Sequence, residues 1–122
     1  MRFSHSLKEN TAFRRIYAKG KSAADQTLVV YCRKNKLGEN RIGITVSKKL
    51  GHAVVRNRTR RRIREAYRLH EDAFRPGFDV VIVARSRCVE TAFHRLERSL
   101  LSLCGRLGLL EEKREHPEDT AP

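Results

Sequence analysis

The sequence has few acidic residues and no long apolar run. Its 122 residues include 27 Lys or Arg against 14 Asp or Glu, for a formal net charge of +13. The last twelve residues, 111–122, hold five acids against two bases, so the preceding residues carry +16. No apolar stretch approaches the roughly 18–20 residues of a membrane helix, and no signal-peptide core is present. We therefore expect a soluble, cytoplasmic protein without a membrane partner, whose charge favours an anionic ligand.

Cysteine and histidine are too few and too scattered for a metal site or a disulfide framework. Cys32, Cys88 and Cys104 are odd in number and form no Cys-x-x-Cys pair. None of the five histidines pairs with another at i,i+4 or lies near a cysteine in ligand spacing. We predict reduced, packed thiols and no metal ion or other cofactor bound by the protein alone.

The acidic residues are poorly placed for catalysis. A protein nuclease needs clustered carboxylates for two metal ions, or a histidine pair for general acid–base work. Before the C-terminal segment only Glu71 and Asp72 are adjacent, in a predicted loop, and Asp79 at a strand start is the other candidate. The sequence therefore predicts no catalytic residue in this chain.

An arginine-rich segment is the clearest positive feature. Seven of the thirteen residues from 56 to 68 are arginine, opposed only by Glu65. At the helical period one side of the segment predicts contact with a core: Val55, Thr59, Ile63, Ala66, Tyr67 and His70. The other side gathers four polar residues in one sector: Asn57, Arg61, Arg64 and Arg68. The pattern predicts an amphipathic helix with a strongly basic outer side.

The one-sided charge of this helix favours a nucleic acid over a merely solvated surface. Like charges at i,i+4 cost roughly 0.2–0.5 kcal/mol per pair, so a purely structural helix is expected to interleave acids. Here only Arg61 and Glu65 are predicted to pair. Arginine in place of lysine favours planar, bidentate contacts with phosphate and base edges.

The whole pattern predicts one α+β domain over residues 1–110, in the order α-β-β-(basic α)-β-α, followed by a disordered acidic tail at 111–122. The first helix begins at Asn10 or Thr11, or a turn earlier at a Ser6–Glu9 capping box, and ends at Gly20. Four more elements are expected: strands at 27–33 and 41–47, joined as an antiparallel hairpin by 34–40, a buried central strand at 78–84 and a last helix at 91–107.

Three segments together resemble the bacterial ribonuclease P protein component. The strongest is the strand at 41–47, the lysine-rich approach Lys48-Lys49-Leu50-Gly51 and the block Arg56-Asn57-Arg58 with the arginines after it. The pattern Phe13-x-x-x-Tyr17-x-x-Gly20 resembles the family's first helix, and 78–85 its last strand followed by arginine. The match runs from about Leu7 to Leu107. His52 departs from it, since a small polar residue such as Asn or Lys is expected there.

The resemblance implies a fold and a function. The fold is a two-layer α/β sandwich like a ribosomal-protein domain, with a left-handed βαβ crossover, although such connections are otherwise almost always right-handed. The implied partners are the catalytic RNA of ribonuclease P and precursor tRNA, cut at the mature 5′ end. The RNA, with Mg²⁺, performs the hydrolysis, and DNA is not a partner.

The resemblance also implies two sets of binding residues. RNA contact is expected from Lys48, Lys49, Arg56, Asn57, Arg58, Arg60, Arg61, Arg62, Arg64 and Arg68. A groove for the single-stranded 5′ leader is expected from Phe13, Tyr17 and Tyr31, aromatic residues on which bases stack. On the residues alone, Phe13 and Tyr17 at i,i+4 are more typical of a core, and Lys48 and Lys49 fit either RNA or leader; these alternatives stay open. Ile16, Val29 and Val81 are expected in the core.

Two other functions fit part of the pattern. A structural ribosomal protein shares the charge, fold class and size, and only reconstitution of an activity separates it. A basic-helix DNA-binding factor presents its basic region on a dimerising coiled coil, and no leucine heptads follow Arg68 before Pro76.

Overall fold

The computed structural model describes residues 4–7 and 10–111. Three α-helices are present there: α1 (Asn10–Lys19), α2 (Ala53–Leu69) and α3 (Phe93–Arg106). The strands are β1 (Ser4–Ser6), β2 (Lys21–Ala24), β3 (Leu28–Lys34), β4 (Asn40–Thr45) and β5 (Phe78–Ala84). Short 3-10 helices occupy Lys48–Leu50, Glu71–Ala73 and Ser86–Glu90. The α+β class predicted from the sequence is confirmed.

The five strands form one mixed sheet in the order β1-β4-β5-β3-β2. β5 is central, as its near-continuous apolar run predicts, because a strand buried on both faces needs no polar alternation. It pairs in parallel with β4 and antiparallel with β3. The parallel crossover is therefore β4-α2-β5, and its left-handedness stays a prediction from the resemblance.

The predicted hairpin between the strands at 27–33 and 41–47 was wrong. β3 and β4 are not neighbours, because β5 inserts between them. The start of β5 fills the space that a hairpin would close: the amide of Asn35 donates to the carbonyl of Gly77 at 2.9 Å, and the Asn40 side chain accepts from the amide of Phe78 at 2.8 Å. Two strand spacings of about 4.8 Å each are short enough for the link after Lys34 to cross.

Two strands were missed because their sequences carry no strand signal. β2 has the sequence Lys-Ser-Ala-Ala, without a β-branched or aromatic residue, and β1 has only three residues. Both lie at the edges of the sheet, where backbone pairing with β3 and β4 places them. Within the described residues α1 begins at Asn10, near the predicted start, and capping by Asn10 or Thr11 stays a prediction. Ser6 belongs to β1, and Glu9 of the alternative capping box lies outside the described residues.

The sheet is packed on both faces. α2 and α3 cover one face, where the large core includes Leu28, Ile63, Tyr67, Ile82, Leu96 and Leu100. α1 covers part of the other face, over a small cluster of Leu7, Ile16 and Val81. The two-layer arrangement thus describes α2 and α3, and α1 adds a helix on the opposite side because β5 is apolar on both faces. Leu110 bridges to Phe74, and only Glu111 of the predicted tail lies within the described residues.

Candidate nucleic-acid interface

The inner side of α2 belongs to the large core. Thr59, Ile63, Ala66 and Tyr67 are fully buried, and the Tyr67 ring meets Phe74 edge-on with centroids 4.8 Å apart. The Thr59 hydroxyl is satisfied by donating to the carbonyl of Val55 at 3.0 Å. The core-facing stripe predicted from the helical period is confirmed for these four residues. The ends of the stripe, Val55 and His70, are half-buried.

The outer side of α2 is a basic surface that we call the arginine face: Asn57, Arg61, Arg64 and Arg68. All four residues are exposed, as their shared sector predicts. Within the part of the chain that the structure describes, the side chains of Arg61 and Arg64 have no hydrogen bond or ion pair. Nothing in the described fold therefore neutralises these two guanidinium groups, which leaves their donors available to an external anion.

Glu65 pairs with Arg68, and the predicted pair with Arg61 was wrong. Arg68 donates to both Glu65 carboxylate oxygens, at 2.9 and 2.6 Å. Glu65 precedes Arg68 in the helix but follows Arg61. An acid N-terminal to its basic partner suits the helix dipole better than the reverse, which favours the pair with Arg68. These hydrogen bonds from Arg68 hold the pKa of the Glu65 carboxyl below its usual range. The one acid of the arginine-rich segment therefore leaves Arg61 uncompensated.

Three other arginines of α2 reach neighbouring loops. Arg56 donates to the Gly51 carbonyl at 3.1 Å, Arg62 to the Thr91 carbonyl, and Arg58 makes a weak contact with the Val89 carbonyl at 3.5 Å. These acceptors are neutral, so the arginines fasten the loops while keeping their charge. They were predicted to bind RNA, and the structure gives them a packing role as well.

The approach to α2 extends its positive charge. Lys48 and Lys49 are both exposed on the 3-10 helix before it, where the Ser47 hydroxyl accepts from the amide of Lys49 at 3.1 Å. The first turn of α2 has no acidic residue, and His52 at the N-cap makes no capping hydrogen bond with its side chain. Because the helix dipole is itself positive at this end, an acid would ordinarily be favoured here. Its absence leaves the whole approach attractive to an anion.

Three aromatic rings meet on the opposite face of the sheet, and we call this cluster the aromatic groove: Phe13, Tyr17 and Tyr31. Tyr17 packs edge-on against Tyr31 with centroids 4.7 Å apart, and Phe13 lies 6.3 Å from Tyr17. The Phe13 ring rests on Gly43 so closely that a Cβ there would lie 2.7 Å from a ring atom. Glycine at position 43 therefore lets α1 sit low on the sheet.

The aromatic groove is only partly closed. Tyr17 is 41% exposed, while Phe13 and Tyr31 are half-buried against the small cluster under α1. The rings thus both pack and present apolar surface, so the alternatives of core and binding surface each describe part of their environment. The structure brings all three predicted residues together.

Of the three carboxylates considered for catalysis, Asp79 is held by other side chains, Glu71 is buried and Asp72 is exposed. Asp79 accepts two hydrogen bonds of 2.7 Å from Arg41 and one of 3.0 Å from Asn35. Burial alone raises the pKa of Asp79, but these donors outweigh it and hold the pKa below its usual range. Among residues 4–7 and 10–111, no group of three or more His, Cys, Asp or Glu could hold a metal ion. No helix in the same residues is long and apolar enough to cross a membrane.

Sequence reasoning missed the basic residues near the aromatic groove. Arg33, Asp79 and Arg41 form one row across β3, β5 and β4, two residues along the strands from the row that contains Tyr31 and on the same face of the sheet. Strand alternation was the available signal, because Arg33 follows Tyr31 by two residues and so shares its face.

Comparison with known proteins agrees with this architecture. The sequence profile of the ribonuclease P family, described as "Ribonuclease P", matches residues 1–108. The ribonuclease P protein component of Alkaliphilus metalliredigens is 42% identical over 110 residues, which cover 90% of this chain and 99% of that protein. The component from Clostridioides difficile is 45% identical over 101 residues, covering 82% of this chain and 89% of that one.

Solved structures show the same fold. The Staphylococcus aureus RNase P protein superposes with a TM-score of 0.81 at 35% identity, covering 88% of this chain and 98% of that one. The Thermotoga maritima RNase P protein gives 0.74 at 32% identity, covering 80% and 93%. The chain therefore belongs to the family of ribonuclease P protein components, protein subunits of an endoribonuclease that acts with an RNA subunit in tRNA processing.

Proposed function

We propose that this chain binds the catalytic RNA of ribonuclease P through the arginine face, and the 5′ leader of precursor tRNA through the aromatic groove. The leader is then removed to give the mature tRNA 5′ end. Hydrolysis is assigned to the RNA with Mg²⁺, and the protein acts by binding and positioning. The complex is expected to work in the cytoplasm.

The arginine face is the observation that carries this proposal. Arg61 and Arg64 have no partner in the described residues, and Glu65 is already held by Arg68. A compact domain of high positive charge attracts polyanions, and arginine forms bidentate contacts with phosphate. Lys48 and Lys49 continue the surface towards the preceding loop. The arrangement suits an RNA backbone better than a protein partner of mixed charge.

The aromatic groove supports the second contact. Its rings lie on the other face of the sheet from α2, so the two surfaces can bind different RNA segments at once. Base stacking on an aromatic ring stabilises single strands by roughly 1–3 kcal/mol per base and tolerates any base. That tolerance suits a leader of variable sequence.

The positions of the carboxylates support the assignment of catalysis to the RNA. Asp79 is held by Arg41, and Asp25 accepts from the amides of Thr27 and Leu28 and from the Ser99 hydroxyl. Both acids therefore serve the fold, and neither is free to bind a metal ion jointly with another carboxylate.

Cleavage of precursor tRNA by the cognate catalytic RNA at low Mg²⁺ tests the proposal. Adding the protein is expected to restore cleavage, because its charge offsets repulsion between RNA and substrate. The protein alone is expected to leave the substrate intact. A variant carrying Arg61→Ala and Arg64→Ala serves as the control and should restore less activity. Equal cleavage by the protein alone, or no stimulation of the RNA, would overturn the proposal; the second result would favour a structural ribosomal protein.

A further inference from the structure

A small basic pocket lies at the start of β5, on the same side of the sheet as α1. Its volume is about 200 Å³. The charged residues that line it are Arg15, Arg33, Lys34, Lys36, Arg41 and Asp79. Five cationic side chains thus surround one carboxylate. None of these residues belongs to the arginine face or the aromatic groove.

The single acid of the basic pocket does not neutralise it. Both Asp79 oxygens accept from Arg41, so this carboxylate offsets one guanidinium group. Arg33 lies beside the same carboxylate, which it also stabilises electrostatically. In residues 4–7 and 10–111, the side chains of Arg15, Lys34 and Lys36 form no hydrogen bond or ion pair. A net excess of positive charge therefore faces the cavity.

The floor of the basic pocket is fixed by hydrogen bonds. Asn35 donates to Asp79 at 3.0 Å and to the Glu39 carbonyl at 2.9 Å, and it accepts from the amide of Leu37 at 2.8 Å. These bonds tie the link between β3 and β4 to the start of β5. Lys36 on the link is thus held near the cationic residues of the strands before any ligand arrives, which lowers the ordering cost of binding.

The volume of the basic pocket suits a small anionic group. A volume of 200 Å³ lies below the roughly 300–1,000 Å³ of sites that enclose a drug-sized ligand. A phosphate group with part of its hydration shell fits this space.

We propose that the basic pocket binds one phosphodiester group of an RNA strand, as a site separate from the two surfaces already described. None of the three rings of the aromatic groove lines it, and Ile16, which packs with Val81, forms part of its wall. The phosphate comes from the distal leader of the precursor or from the partner RNA, which share this chemistry. In that choice of ligand the inference rests on the proposed function.

The test compares two charge-matched double variants of the full chain. Arg15→Gln with Lys34→Gln removes two exposed cations from the pocket. Arg14→Gln with Lys21→Gln removes two exposed cations that do not line it. Thermal melts of both should match the unaltered protein, since all four residues are exposed; if the pocket pair melts early, Arg15→Gln alone replaces it.

Salt dependence of binding is measured for the catalytic RNA and, in the assembled complex, for precursor tRNAs whose leaders lengthen one nucleotide at a time. The pocket variant is expected to lower the slope of log affinity against log salt by about 0.7–0.9 for each phosphate that it no longer binds. A fall confined to long leaders identifies the leader as the source, and a fall with the catalytic RNA identifies the partner. The control variant should change the slope less.

Three results overturn the inference. In the first, the unaltered protein binds both RNAs and the pocket variant shows the same salt slope with every RNA. This result excludes the basic pocket as a phosphate site and leaves the proposed function intact. An equal fall in both double variants shows diffuse attraction without a site. If the unaltered protein does not bind the catalytic RNA, and if no leader increases its affinity for precursor tRNA, the proposed function fails. The pocket proposal then fails with it.

Discussion

The two faces of the sheet are packed to different extents. Under α2 and α3, eighteen buried residues of the described chain form one continuous core. Under α1, the corresponding cluster contains three, and its aromatic neighbours remain partly exposed. Buried apolar area is the main source of folding free energy, so the first face, which we call the closed face, stabilises the domain. The second face, which we call the open face, uses less surface for packing and leaves aromatic rings and cations partly exposed.

Tyr67→Ala should produce the largest effect, because it empties a fully buried site on the closed face. Removing this ring, which packs against Phe74, is expected to lower the free energy of unfolding by about 3–5 kcal/mol. Denaturant unfolding measures the change. Tyr67→Phe is the matched control and should retain most of the stability. A decrease of less than about 1 kcal/mol for Tyr67→Ala would contradict the division between the two faces.

Tyr17→Ala tests the open face with the same change of side chain. Binding of leader-bearing precursor tRNA should become less favourable by roughly 1–3 kcal/mol, while binding of mature tRNA stays nearly unchanged. Tyr17 is 41% exposed, so the melting temperature should fall much less than for Tyr67→Ala.

Tyr17→Phe keeps the ring and should bind the leader almost as well as the unaltered protein. A large melting shift in Tyr17→Ala with equal weakening for both tRNAs would show that the aromatic groove is simply core.

Arg61→Ala with Arg64→Ala tests whether the outer side of α2 contributes to RNA binding without contributing to stability as its buried inner side does. The salt slope for binding of the catalytic RNA should fall by about 0.7–0.9 for each phosphate that the variant no longer binds. Stability should stay within about 0.5 kcal/mol, as for other surface substitutions. Arg95→Ala with Arg98→Ala, two exposed arginines of α3, removes the same charge elsewhere. An unchanged slope in the α2 variant would make its outer side ordinary solvated surface.

Acid should destabilise the protein partly through Asp79, the smallest effect expected. The folded-state pKa of Asp79 lies below its usual value of about 3.9, so ionised Asp79 contributes stability above that pH. This contribution is lost as the pH falls through the folded pKa. Asp79→Asn should therefore show a shallower loss of stability than the unaltered protein from about pH 5 downwards. Asp72→Asn, at an exposed acid, is the control, and equal pH dependence of Asp79→Asn and the unaltered protein would contradict the assignment.

Local pattern was enough to predict the helices and the central strand. The position of α1, the buried stripe of α2 and the burial of β5 follow from the hydrophobic periodicity of short segments of the chain. The order of strands did not follow, because β5 comes more than thirty residues after β4 and yet separates it from β3. Short edge strands such as β2 depend on a partner and have no signal of their own.

The candidate site likewise contains features that local sequence predicts and features that depend on tertiary contacts. The exposure of Arg61 and Arg64 was predictable from helical period alone. The pairing of Glu65 with Arg68, and of Arg62 with the Thr91 carbonyl, depends on rotamers and on a loop distant in sequence. Contact between Tyr17 and Tyr31 joins α1 to β3, and only the family resemblance indicated it beforehand. The basic pocket combines residues of α1, three strands and a loop, which no local pattern connects.

The three cysteines allow opening of the closed face to be followed by thiol labelling. Cys32, Cys88 and Cys104 all lie in the large core, on three different elements. Burial raises the pKa of Cys88 to about 11 and that of Cys104 to about 12, so the reactive thiolate is scarce at neutral pH. A thiol reagent should consequently react only when that half of the domain opens. The labelling rate therefore measures how often the closed face opens, and it does not report on the cluster under α1, which contains no cysteine among the described residues.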